Sequence, residues 1–190
     1  MARRVALALD IQLLYKHHTE VFAGLQRYAD EAGWLTIIDN WCEGALARST
    51  KAHPAFDGVI ARVGPERASL VRETAKRDVR LVNVQFGSPF VNQLPGVFPD
   101  YALIGRIQAE HLMALGLKHF AFIANEERLP DARQATAFAT AIEAAGYSVT
   151  RLDLPAAWDD APDLNRQCVA KIEQWMNGWK RPIGVACSVD

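Results

Sequence analysis

Several familiar signatures are missing from this sequence. No Gly-x-Gly-x-x-Gly follows the first apolar run, and neither Gly-x-x-x-x-Gly-Lys-[Ser/Thr] nor Gly-x-Ser-x-Gly occurs. Their absence disfavours a dinucleotide fold of the usual kind and removes the P-loop and nucleophile-elbow readings. Basic excess is missing too: 21 Lys and Arg face 22 Asp and Glu, a net charge of −1. Such a balance lacks the electrostatic footprint of a nucleic-acid-binding face. The three cysteines, Cys42, Cys168 and Cys187, show no Cys-x-x-Cys or other ligand spacing. Cys168 and Cys187 lie in apolar segments and read as small buried hydrophobes of a reducing compartment. No apolar run approaches the roughly 20 residues of a membrane span. The run Val5–Leu9 after Arg3 and Arg4 meets Asp10 too soon for a signal peptide. A soluble, cytoplasmic protein without membrane association is expected.

What the chain does have is apolar material, 50% of its 190 residues, enough for one large domain or two small lobes. Short β-rich runs alternate with helical periodicity throughout. Val5–Leu9, Leu35–Ile38, Gly58–Val63 and Val79–Val84 read as strands. The first is followed by a helix with Val21, Phe22, Leu25, Tyr28, Ala29 and Ala32 as its stripe, closed by Gly33. Pro65–Arg77 reads as a helix with proline in its first turn. Asp100 can cap a helix running to Leu115, and Gly116 ends it. His119–Ile123, Tyr147–Leu152 and Ile183–Ser188 read as further strands. Between them lie helices marked by Ala135, Phe138, Ala139, Ile142 and Ala145, and by Leu164, Cys168, Ile172, Trp175 and Trp179. Strands and helices alternating at these lengths require parallel sheets with crossover helices, an α/β fold. The chain stops at Ser188-Val189-Asp190, at a strand's C-terminal end. Ligand loops begin there in parallel sheets, so a second lobe cut short is expected.

The adjacent His17 and His18 point about 100° apart on a helix and cannot chelate as an i, i+4 pair can. They read as a helix-start surface patch. His111 reads as a packed core histidine, and Trp175 with Trp179 as a core stripe. No metal and no cofactor is expected. The candidate site residues are those at strand C-terminal ends and helix starts: Asp10, Arg62, Gln85, Asp100, Arg133, Gln134 and Asp190. Carboxylates, amides and guanidinium groups suit a polyhydroxylated ligand, whose hydroxyls both donate and accept. Milder readings stand beside these. Asp100 can be only a helix cap, Arg62 and Arg133 only surface charges, and Asp10 only a turn residue.

The order of segments resembles a known family. Pro99–Phe122, PDYALIGRIQAEHLMALGLKHFAF, resembles the hinge region of lactose-repressor-type ligand-binding domains. Arg133–Phe138 (RQATAF) resembles the family's Arg-rich turn before an aromatic, and Lys180–Asp190 (KRPIGVACSVD) its strand ending in a ligand pair. Gly58–Arg62 matches its strand after Asp-Gly. Strand one begins near residue 4, leaving no room ahead of it for a helix-turn-helix. In this the chain is similar to the xylose operon regulators, whose sensor comes first and whose arabinose-regulator-type helix-turn-helix pair comes last.

The resemblance implies a periplasmic-binding-protein-like fold of two Rossmann-like lobes, 1–116 and a partial 117–190. It implies a sugar effector, a pentose such as xylose, held by Asp100, Arg133, Gln134 and Asp190, with Arg62 and Asp10 as further candidates. Gln134 stands where many relatives carry a second Arg, and Val189 where they carry Asn or Thr. The implied mechanism is binding without turnover, lobe closure on a sugar in a homodimer altering distant DNA-binding modules. DNA would be contacted only through a C-terminal module absent from these residues. Three rivals remain. A sugar- or nucleotide-processing enzyme would have to use Asp10 with His17, a transport receptor would need a secretion signal, and a response-regulator-like receiver would need acids around Asp10.

Overall fold

A computed structural model describes residues 2–11, 16–125, 128–155 and 162–188, the side chains of Lys16 and His17 excepted. The chain divides into two compact units, residues 1–98 and 99–190.

The first unit is built on a parallel sheet ordered β2-β1-β3-β4. Its strands are β1 (Arg4–Ala8), β2 (Leu35–Ile38), β3 (Gly58–Ala61) and β4 (Arg80–Asn83). β1 pairs with β2 from Arg4↔Leu35 to Leu7↔Ile38, and with β3 from Val5↔Gly58 to Ala8↔Ala61. A central parallel strand is covered on both faces, which is why four of the five residues of β1 are apolar and buried. Alternation along it assigns the faces. Val5, Leu7 and Leu9 pack with Phe22 and Leu25 of α1 (Lys16–Ala32). Ala6 and Ala8 face the other way, toward Cys42 and Leu46 of α2 (Cys42–Arg48) and Leu70 of α3 (Ala68–Arg77). The chain leaves β1 toward β2 and returns past it to β3. Right-handed crossovers in opposite directions place their helices on opposite faces, so the sheet is doubly wound with its switch beside β1.

The second unit repeats the plan with a sheet ordered β6-β5-β7. Its strands are β5 (His119–Asn125), β6 (Val149–Leu154) and β7 (Ile183–Cys187). α5 (Leu129–Ala144) lays Ala135, Phe138 and Ile142 on Phe120, Phe122 and Ala124, and α4 (Tyr101–Ala114) adds Ala109. α6 (Pro162–Asn177) covers the opposite face, Cys168 packing with Leu152 and Leu154, and Ile172 and Trp175 beside them.

The fold class is α/β with parallel sheets, as the alternation requires. Five details differ from the sequence expectation. The unit boundary falls after Phe98 rather than after residue 116, because α4 packs on α5 and belongs to the second unit. α2 is an additional helix; its seven residues are too few to display a period. His18 is buried, at 4% exposure, rather than part of a surface patch, and Cys187 is exposed. His111 lies on the solvent side of α4, since Gly105 and Ala109 define the buried side.

Candidate functional site

In the first unit the polar side chains of interest gather where strands end and turns begin, and in the second they lie at the start of α4 and in the first two turns of α5. In the first unit, Asp10 follows β1 in a left-handed conformation, φ 51°. That region is uncommon for a residue with a Cβ, and Asp tolerates it better than most. Its carboxylate Oδ1 lies 3.2 Å from Arg67 Nη2. Arg67 closes the 3-10 turn Pro65–Arg67 after β3, and its Nη1 donates to the Asn40 carbonyl at 2.7 Å. Asn40, beyond β2, returns the contact, its Oδ1 accepting from the Asp10 N–H at 3.4 Å. The loops after three adjacent strands are thus tied to one another. The Arg67 side chain is 11% exposed, whereas that of Asp10 is 35% exposed. A buried guanidinium carries a heavy desolvation cost unless a carboxylate and further acceptors meet it, and here both do.

Arg62 lies on the same sheet edge, its N–H donating to the Ala8 carbonyl at 3.0 Å. Gln85 sits in a turn organised by Asn83, whose Oδ1 accepts from Val63 N–H at 3.1 Å and Gln85 N–H at 2.9 Å. Asp10, Arg62 and Gln85 therefore share the C-terminal edge of one sheet, as the sequence placed them.

In the second unit Asp100 caps α4, its Oδ1 accepting from the Leu103 N–H at 2.9 Å, so the milder reading of this residue is at least part of its role. Arg133 and Gln134 are consecutive in α5. Arg133 is exposed and Gln134 is 3% exposed. The Gln134 Nε2 donates to Gln108 Oε1 at 2.9 Å and to the Cys187 carbonyl at 3.4 Å, and Gln108 Nε2 donates to the same carbonyl at 3.2 Å. One amide pair therefore ties α4, α5 and the end of β7 together. Asp131, in the first turn of α5, is also buried, and its Oδ2 meets no hydrogen-bond partner among the described residues. Asp190 lies outside the described residues.

Sequence reasoning passed over Arg67, Asn40, Gln108 and Asp131. Asn40 directly follows Asp39 beyond β2, so its place at a strand end was available. Arg67 looks like any charge on a helix, and only the tertiary fold turns it beneath Asp10. Asp10 meets Arg67, a donor-only group that cannot accept a proton, while the side chain of His17 lies outside the described residues. Burial, reinforced by the Glu43 and Asp39 carboxylates, pushes the Cys42 thiol up to about 12. Such a thiol is not a nucleophile at neutral pH. No cluster of three or more His, Cys, Asp or Glu side chains able to hold a metal occurs among the described residues.

No protein-family model matches the chain, and no curated protein matches its sequence. Solved structures do match. A periplasmic ribose ABC transporter from Conexibacter woesei is similar with a TM-score of 0.72 at 16% identity, over 98% of this chain and 64% of that one. The xylose-binding transcription activator xylR is similar with a TM-score of 0.69 at 17% identity, over 98% of this chain and 47% of that one. The transcriptional regulator CelR in complex with cellobiose is similar with a TM-score of 0.59 at 20% identity, over 98% of this chain and 67% of that one. The chain thus spans about half the length of the activator. At these identities the likeness shows the fold, which is periplasmic-binding-protein-like.

Proposed function

We propose that the chain is the effector-binding part of a bacterial transcription regulator, sensing a sugar, with a pentose and foremost xylose as the effector. The observation that carries this reading is the match of the whole chain to proteins named for xylose, ribose and cellobiose, two of them regulators. Polar side chains at the strand ends supply the matching chemistry. Asp10 offers carboxylate lone pairs to sugar hydroxyls, while Arg62 and Arg133 offer planar forks of donors. Asp100 and Asp190 are the remaining acidic contacts, and Gln134 holds the α5 turn from which Arg133 projects. The ligand is bound and released unchanged. DNA is contacted through a module outside these residues, in a cytoplasmic homodimer.

Calorimetric titration with D-xylose, D-ribose, L-arabinose and D-xylulose tests this. Saturable heat with at least one of them is expected, and its absence with all four overturns the pentose assignment. Titration with hexoses and disaccharides then decides whether a larger sugar takes its place. The likeness to a ribose transporter supports a second reading, a solute receptor for transport. Cell fractionation separates the two: recovery outside the cytoplasmic membrane selects the receptor.

A further inference from the structure

We infer that Arg67 is a positioning residue for sugar recognition, fixing the Asp10 carboxylate as an acceptor for the ligand's hydroxyls. This rests on the sugar-sensing reading and adds to it a residue that does not itself touch the ligand. The geometry is asymmetric. Arg67 is nine-tenths buried and spends its guanidinium on two fixed acceptors, Asp10 Oδ1 at 3.2 Å and the Asn40 carbonyl at 2.7 Å. Asp10 keeps 35% of its side chain exposed at the sheet edge beside the switch point. An ion pair serving only the core would bury both partners. Here one partner is sunk and rigid, and the other is held at the surface.

Asp10 also adopts φ 51°, a conformation that costs free energy unless its surroundings hold it. The Arg67 fork and the Asn40 side chain, which accepts the Asp10 N–H, do so. A carboxylate fixed in advance loses little conformational freedom when a hydroxyl arrives, which favours affinity and discrimination among epimers. A hydroxyl donating to Asp10 needs the carboxylate at one orientation, and Arg67 sets it.

The test compares the wild-type chain with R67M, R67K, D10N and the double variant D10N/R67M. Each is titrated calorimetrically with the pentose the wild type binds best, and with its single-position deoxy analogues. R67M keeps the buried stem while removing the fork, and is expected to weaken binding by roughly 10- to 100-fold. R67K keeps the charge without the planar fork and recovers part of that loss. D10N loses a similar amount, and the double variant binds no worse than the poorer single one, because both changes remove one interaction. One deoxy analogue, lacking the hydroxyl that Asp10 accepts, binds wild type and R67M alike.

Wild-type affinity in a folded R67M, or losses that add in the double variant, would overturn the inference. A loss equal for every analogue would also overturn it, since a merely structural defect behaves that way. If R67M does not fold, D10N and R67K decide: undiminished binding by either overturns it. Failure of the wild type with every sugar refutes the sensing reading itself, whereas wild-type binding with unaffected variants refutes only the role of Arg67.

Discussion

Asn83 sits at the end of β4, fully buried, with both ends of its amide hydrogen-bonded. Its Oδ1 accepts the backbone N–H groups of Val63 and Gln85, and its Nδ2 donates to the Gln85 carbonyl at 3.1 Å. Its own N–H donates to the Pro95 carbonyl. Orphaning a buried donor costs about 1–3 kcal/mol, and alanine here orphans two. Asn83→Ala is therefore expected to lower stability by about 2–5 kcal/mol in urea unfolding. Asn83→Asp is expected to be no better, since it sets an oxygen against the Gln85 carbonyl and buries a charge. A cost below about 0.5 kcal/mol for both would show that the turn after β4 holds without this side chain. Residues of this kind are nearly invisible in a sequence. Asn83 occupies an apolar run where composition suggests only another strand position, and its value comes from joining its own turn at Gln85 to Val63, which the fold brings within 3.1 Å of its Oδ1.

Elements meet through their small residues, and two glycines show how differently one substitution acts. Gly105 faces α5 so closely that a Cβ there would collide with the Gln134 carbonyl and approach the Phe138 nitrogen at 3.0 Å. Backbone cannot swing away as a side chain can, so α4 must move off α5. Gly24, inside α1, has nothing within 4 Å of an added Cβ. Gly105→Ala is expected to destabilise by about 1–3 kcal/mol, as overpacking does. Gly24→Ala is expected to stabilise by about 0.5–1 kcal/mol through helix propensity. Thermal unfolding of the two variants should move the midpoint in opposite directions, and shifts of the same sign would refute this account of α4 packing. The helices themselves were readable because their apolar positions recur over three or more turns. α2 was not, since seven residues that include Gly44 offer neither period nor propensity.

At the scale of the molecule, each unit owns its core. The clusters around Leu7 and Val59 draw on residues before Phe98, and those around Phe122 and Leu152 on residues after it. Phe122 is buried against Phe138 with ring centroids 5.1 Å apart. Phe122→Ala is expected to cost about 3–5 kcal/mol, as aromatic-to-alanine cavities do. The loss should appear as faster hydrogen exchange at the amides of β5, β6 and β7, with β1 and β3 retaining their protection. Equal loss of protection in both sheets would show that the two cores unfold as one.

The sequence by itself determined the alternation of strand and helix, the parallel sheets, the apolar faces and the position of Asp10, Arg62 and Gln85 at strand ends. These follow from local periodicity and from the chirality of crossover connections, which act over a few dozen residues at most. Only the tertiary structure decided that α4 joins the second unit, that His18 is buried and His111 exposed, and that Gln134 spends its amide on Gln108 and β7. It also decided that Arg67 lies beneath Asp10, 57 positions away in the chain. Burial and partnership depend on which loops the sheet order brings side by side, and no local pattern encodes that.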